Sequence, residues 1–226
     1  RLVASYPPQE QSHDGINDVQ FADLDQDGAP ELYVGFWGPL GVHVVSLNGQ
    51  RSWSSRVAAN VLSLAPRPAA GSYSGALLVS NDRGGVHVFD ATGESKRTIT
   101  IPGQNIHHLF TATSNASVIG HLGIAFVPNK APLALGLAAN FEEQWSLELS
   151  SGPFRGQLVT HGKFLRETRG DWFVAGSDGT IRVIGQDGDF FDYLYDGEQL
   201  AIAVGDVSSK GLKGAMNSVM ASGMLR

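Results

Sequence analysis

Along this chain a short apolar run is followed, after a loop, by a second apolar run ending in small residues, then by a glycine turn and a third run, and the pattern recurs. No other feature constrains the fold as tightly, because a unit that cannot bury its own apolar face must stack on its neighbours. The clearest copies are Glu31-Leu-Tyr-Val-Gly followed by Gly41-Val-His-Val-Val, and Asp171-Trp-Phe-Val-Ala-Gly followed by Gly179-Thr-Ile-Arg-Val-Ile. Ala76-Leu-Leu-Val-Ser with Gly85-Val-His-Val-Phe is a third, and Pro132-Leu-Ala-Leu-Gly followed by Ala138 is a weaker copy. Ser218-Val-Met-Ala-Ser-Gly repeats the second run near the C-terminus. The ends of the first runs, at Asp23, Pro66, Ala112, Gly162 and Asp206, recur at intervals of 43 to 50 residues. That is the period of a four-stranded propeller blade.

Turn chemistry agrees with the period. Asn48-Gly49, Thr92-Gly93 and Asp187-Gly188 stand where third and fourth strands should meet, and Asp178-Gly179 joins a second strand to a third. These dipeptides supply the positive φ that a tight hairpin needs. Fourth strands fall around Trp53, Arg97, Trp145 and Tyr193. With 28 glycines and 10 prolines among 226 residues, the composition suits many short elements rather than long helices. The expectation is an all-β chain, a single domain over 1–226, folded as a five-bladed β-propeller of four-stranded antiparallel blades. The units are about 18–57, 61–101, 106–150, 156–196 and 199–226 plus 1–6. In that scheme residues 1–6 provide the missing fourth strand of the last blade, closing the ring and removing its open edges. The alternative is a fragment of a six- to eight-bladed propeller.

Asp23-Leu-Asp25-Gln-Asp27-Gly28-Ala29-Pro-Glu31 places carboxylates at positions 1, 3, 5 and 9 of a loop, with glycine at position 6. Hard oxygen donors at this density suit calcium, which takes six to eight of them, and the main-chain carbonyl of Ala29 can serve position 7. A helical calcium hand would carry glutamate at position 12, which here is Val34 inside a strand pattern. The loop is therefore flanked by strands. The first unit, from Phe21 to Gly35, resembles an FG-GAP or VCBS-type repeat of integrin-α-like propellers. That resemblance implies calcium in the acidic loop between the first and second strands of a blade, and an extracytoplasmic setting, secreted, periplasmic or cell-surface. The match is strong over about 25 residues of the first unit, Phe21 to Gly35 among them, and is only architectural elsewhere. The fifth unit has Asp206, Ser208, Lys210 and Gly211 at the corresponding positions, where lysine is a competing positive charge, so one calcium site is expected.

The formal charge of −6, with 16 Lys and Arg in all, speaks against a phosphate-tracking surface and so against nucleic acid. No apolar run reaches the length of a membrane span. The absence of cysteine excludes disulfides, zinc ribbons and thiol chemistry together. The leading functional reading is a noncatalytic, calcium-stabilised binding or scaffold module that presents one face to a protein or a carbohydrate. Trp37, in a turn, and His108, near the start of a first strand, are the candidate contact residues. The alternative is a five-bladed glycoside hydrolase with two carboxylates across the central funnel, for which Asp14, Asp18, Glu198 and Asp206 are available. His43 and His87 fall at the same point of successive third strands and are expected to be half-exposed sheet residues. Trp53, Trp145 and Trp172 are expected to wedge between blades. Asn115-Ala-Ser117 matches a glycosylation sequon.

Overall fold

The computed structural model describes residues 5–8, 11–101, 103–114, 117–126, 129–149, 159–162, 170–177, 180–186, 188, 190–195 and 200–205. Every regular element among them is a strand. The first sheet is β1 (Ile16–Ala22), β2 (Glu31–Phe36), β3 (Val42–Val45) and β4 (Arg51–Ser55); the second is β5 (Val61–Arg67), β6 (Ala76–Asn81), β7 (Gly85–Asp90) and β8 (Ser95–Thr100). The third comprises β9 (Asn105–Ser114), β10 (Ser117–Phe126), β11 (Leu133–Leu137) and β12 (Glu143–Glu148), and the fourth begins with β13 (Val159–Gly162), β14 (Asp171–Ala175), β15 (Ile181–Gly185) and β16 (Phe190–Tyr195). In each sheet the strands lie side by side in chain order. By compactness the chain divides into two units, Arg1–Val118 and Ile119–Arg226.

Two positions depart from the repeat reading. The run 132–136 copies a second strand in sequence but belongs to the third strand of its sheet, β11, because a ten-residue β10 precedes it. β17 (Leu200–Gly205), where a fifth unit should open with its own inner strand, instead pairs antiparallel with β16, from Phe190 opposite Gly205 to Tyr195 opposite Leu200. It is thus a fifth strand on the outer edge of the fourth sheet. Its apolar run Leu-Ala-Ile-Ala-Val satisfies the open backbone groups of that edge. The rest of the expected fifth unit, 206–226, and the first four residues of the expected closing strand 1–6 lie outside the described residues. Ser5 and Tyr6 are not in a strand. The Tyr6 hydroxyl lies 2.7 Å from His43 Nδ1 on β3.

The middle strands read as mainly apolar runs because both of their faces are covered. Every residue of β3 and β6 is buried, whereas β4 and β8 keep polar, exposed residues at most positions. In the first unit the core between the first two sheets gathers Tyr33, Val42 and Val44 from one with Val61, Leu64, Leu77, Val79 and Phe89 from the other. Trp53 of β4 packs on that core, and its indole N–H donates to the Ala91 carbonyl at 3.0 Å. A β-carbon on Gly93, in the turn after β7, would stand 2.5 Å from the Trp53 ring. The second unit repeats the device. Trp145 donates to the Gln186 carbonyl at 2.9 Å, and Gly188 leaves room for its ring. The wedge role expected of these two tryptophans is thus met by a glycine in the next sheet's turn. Trp172 packs edge-on against His161 of its own sheet, with ring centres 4.9 Å apart.

The repeat also governs irregularities. The pairing of third and fourth strands slips at Val44/Val45, at Val88/Phe89 and at Gly136/Leu137. The turns that follow reuse one hydrogen-bond pattern, with Gly49, Gly93 and Phe141 each donating back three residues. Gly49 and Gly93 sit at φ 84° and 87°; Phe141 takes the same left-handed region at φ 71°. The strain of a bulky side chain there is offset by packing, because the Phe141 ring stacks on buried His121, centres 4.5 Å apart.

Candidate metal centre

Between β1 and β2 the chain must reverse while carrying Asp23, Asp25, Asp27 and Glu31. Gln26 and Gly28 adopt positive φ, 62° and 89°, and these bends turn the aspartates inward. Each aspartate then ties down the loop: Asp25 Oδ1 accepts from the Asp27 amide at 3.2 Å, Asp23 Oδ2 from the Gly28 amide at 3.0 Å, and Asp27 Oδ1 from the Ala29 amide at 2.7 Å. The result is a carboxylate oxygen from each of Asp23, Asp25 and Asp27 within 4.8 Å of one another. Leu24, between the first two, points the other way and is buried in the core, so one loop is both a cluster of charge and an anchor.

The residues fit a hard cation on structural grounds. Asp23 Oδ1 is buried and accepts no hydrogen bond, although a carboxylate oxygen in that position ordinarily has a donor or an ion against it. Asp25 and Asp27 are exposed and leave an ion open to water, as calcium tolerates.

Glu31 stands apart from the three aspartates. Its Oε2 accepts the Tyr33 hydroxyl at 3.3 Å. Burial, followed by the negative charge of Asp25, raises its pKa; Tyr33 opposes the rise, and Asp27 and Asp23 add to it. Burial raises Tyr33 as well, with Glu31 next in effect. Glu31 is therefore close enough to feel the aspartates' charge but is engaged with a phenol. Ala29 is exposed in the loop, with its amide bound to Asp27. The structure thus brings together the carboxylates of three of the four acidic residues that the spacing predicts.

Trp37 lies in the turn after β2, 39% exposed, with its amide donating to the Gly15 carbonyl at 3.0 Å. His108 is half-buried on β9; burial lowers its pKa, with the neighbouring His107 adding to the shift and Asp18 opposing it. His43 and His87, expected half-exposed, are buried, at 3% and 8% exposure. Each is a polar group inside a sheet that needs a partner. His43 has Tyr6, and His87 has Asn81 at 3.0 Å and Thr98 at 3.2 Å. Burial is the chief cause that lowers both, His43 to about 4 with Arg51 and Arg56 adding to it.

Of the carboxylates considered for glycoside hydrolysis, Asp18 is committed to the fold. Its Oδ2 accepts from the Leu64 amide at 2.7 Å and the Ser63 hydroxyl at 3.1 Å, and the Ser63 oxygen in turn accepts the Leu109 amide at 3.1 Å. One side chain thereby links the first strands of three successive sheets. Asp14 is exposed and sits against Gly38. Glu198, Asp206 and the sequon asparagine lie outside the described residues.

Strand order, period and the blade-to-blade tryptophan wedges define an all-β chain of the β-propeller class. Comparison with solved structures agrees. The chain is similar to BBS1N in complex with ARL6DN, in a lead-soaked crystal (12% identity, TM-score 0.60, covering 86% of this chain and 57% of that one) and in a mercury-soaked crystal (12%, 0.59, 86% and 58%). It also matches the Cps50 (Swd1) β-propeller domain of Myceliophteria thermophila, at 12% identity and TM-score 0.47, covering 84% of this chain and 70% of that one. The chain spans a little over half the length of the BBS1N structures. No protein-family model matches it, and no curated protein does.

Proposed function

We propose that this chain is a noncatalytic propeller module that presents a face to a protein or carbohydrate partner, with a calcium ion held by Asp23, Asp25 and Asp27 stiffening its first blade. Glu31 and the Ala29 carbonyl complete the proposed donor set, as in the FG-GAP and VCBS repeats that the first unit resembles. The observation that carries the reading is the convergence of three carboxylates in one loop around a buried, undonated oxygen of Asp23. The ion supplies charge neutralisation and cross-links the loop. A site with exposed donors is filled where free calcium is abundant, which favours an extracytoplasmic setting.

A protein partner is supported by analogy with BBS1N, solved in complex with ARL6DN, and exposed Trp37 is a suitable contact residue. The commitment of Asp18 to three strands speaks against its use in hydrolysis. No helix among the described residues is long and apolar enough to cross a membrane.

Calorimetric titration with calcium tests the proposal. The parent protein should bind one equivalent and Asp25→Ala should lose at least about tenfold in affinity. Equal affinity in the two proteins would refute the assignment. Chelator should lower the Tm of the parent and leave that of Asp25→Ala unchanged, because an ion bound only by the folded state stabilises it.

A further inference from the structure

Two of the tryptophans obey one rule. Trp53 on β4 stands opposite Val44, and Trp145 on β12 opposite Gly136, each beside the slip between third and fourth strands. Each indole N–H donates to a carbonyl two residues before a turn glycine of the following sheet: Ala91 before Gly93, and Gln186 before Gly188. The ring lies against that glycine, where a β-carbon would stand 2.5 Å from the Trp53 ring and 3.0 Å from Trp145.

The third sheet supplies the exception. β8, the fourth strand before it, has Arg97 at the register of the tryptophans, opposite Val88. The turn after β11 correspondingly has Phe141 where the others have glycine, at φ 71°. Turn glycine and preceding tryptophan therefore occur together and are lost together. Phe141 also shows that the left-handed backbone does not by itself demand glycine here.

The first sheet has the receiving half of this arrangement. Its turn after β3 repeats the others, with the Gly49 amide donating to the Ser46 carbonyl at 2.9 Å and Gly49 at φ 84°. Leu47, two residues before the glycine, is 58% exposed. The inner strand agrees. β1 and β5 slip at the same point, Ile16/Asp18 and Val61/Ser63. Val61 and Leu64 are buried against the first sheet, whereas Ile16 and Val19, at the matching positions of β1, are exposed. The matching indole has no source in this chain. Trp53 and Trp145 serve their own turns, Trp172 lies on β14, and Trp37 is fixed in the turn after β2. Tyr6 is engaged by His43, and neither 1–4 nor 206–226 contains an aromatic residue.

We infer that the Leu47–Gly49 turn is a docking slot for a tryptophan carried on an extended strand of a partner protein. The Gly49 α-carbon meets the ring, the Leu47 carbonyl accepts the indole N–H, and Ile16 and Val19 offer further apolar contact. A buried indole with its N–H satisfied is a strong anchor for such a contact. The slot specifies the partner of the proposed binding module and rests on that reading for its role, but not on the calcium site.

The probe is the sequence of β4, Arg51–Ser55, as a free peptide, acetyl-Arg-Ser-(fluorotryptophan)-Ser-Ser-amide. Fluorine NMR reports the peptide alone, so the protein's own tryptophans are silent. Chelator is present throughout, so failure of the ion assignment and failure of the slot are separate results. Titration with the full chain should shift the fluorine signal saturably at millimolar concentration. An excess of the same peptide with alanine for tryptophan should not reverse the shift. Gly49→Asn is the decisive variant. Asparagine tolerates positive φ and keeps the turn, but its β-carbon takes the space of the ring, and it should weaken the peptide by at least about tenfold. Leu47→Asp, at an exposed position, places a charge beside the ring; it should weaken binding several-fold and decides the matter where Gly49→Asn lowers stability. No saturable shift, displacement by the alanine peptide, or unchanged affinity in the variants would overturn the inference.

Discussion

The first and second sheets share a frame and differ in what they attach to it. Both have a buried third strand with histidine at the same register, His43 opposite Val34 and His87 opposite Val79. Both slip by one residue before a glycine turn, at Val44/Val45 and Val88/Phe89. The loop after the first strand is where they part. In the first sheet it gathers three aspartates; in the second it is a tight reversal, with Ala70 and Tyr73 exchanging backbone hydrogen bonds of 2.9 and 3.0 Å beside Arg67. The frame tolerates this because the loops lie outside the ladder hydrogen bonds, so a charge of either sign can be installed without disturbing the strands.

The hardest way to break the shared frame is through the turn glycine. Gly93→Val puts a branched side chain at φ 87° and against the Trp53 ring, and should cost roughly 4 kcal/mol in denaturant unfolding, from overpacking and strain together. Replacing Trp53 with alanine in the same protein should recover part of that loss; no recovery would mean that the two residues do not meet.

Acid acts on both buried histidines in the same sense. A folded pKa lowered from 6.5 to about 4 means that neutral His43 contributes stability that is fully present above pH 6.5 and is lost as pH falls towards 4. The full effect is on the order of 3 kcal/mol. His87 acts in the same direction. A urea midpoint followed from pH 7 to pH 4 should therefore fall in the parent and fall less in His43→Gln; parallel curves would remove His43 from the account.

Asp18→Asn tests the tie between sheets. An amide cannot accept from both the Leu64 amide and the Ser63 hydroxyl with the strength of a carboxylate, and the expected loss is about 2 kcal/mol. Unaltered stability would return Asp18 to the pool of residues available for catalysis. Lys96→Ala should leave the urea midpoint almost unchanged, since its pairs with Asp90 and Glu94 are at the surface. A larger loss would mean that this turn depends on the ion pairs and not on its amides.

The legibility of the chain followed the same division. Strand positions are readable where burial on two faces leaves mostly apolar residues, as in Val42–Val45 and Ala76–Asn81. The acidic loop was readable because its donors are consecutive in sequence. The misplacement of 132–136 had a local cause: an apolar run that ends in glycine suits either middle strand of a blade, and only the pairing of His121 with Leu137 and of Leu133 with Glu148 decides which. The tie through Asp18 was not readable, because Asp18, Ser63 and Leu109 are far apart in the chain and each, alone, reads as an ordinary residue.

The sequence by itself determined the repeat, the turn chemistry and the spacing of the aspartates, since each of these is set by neighbours within a few positions through φ preference and strand alternation. Tertiary structure alone decided that β17 joins the fourth sheet, that Glu31 turns to Tyr33, and that Asp18 links three strands. The reason is physical. Edge pairing, side-chain choice between rival hydrogen-bond partners, and the meeting of distant strands depend on distances that exist only once the sheets have packed.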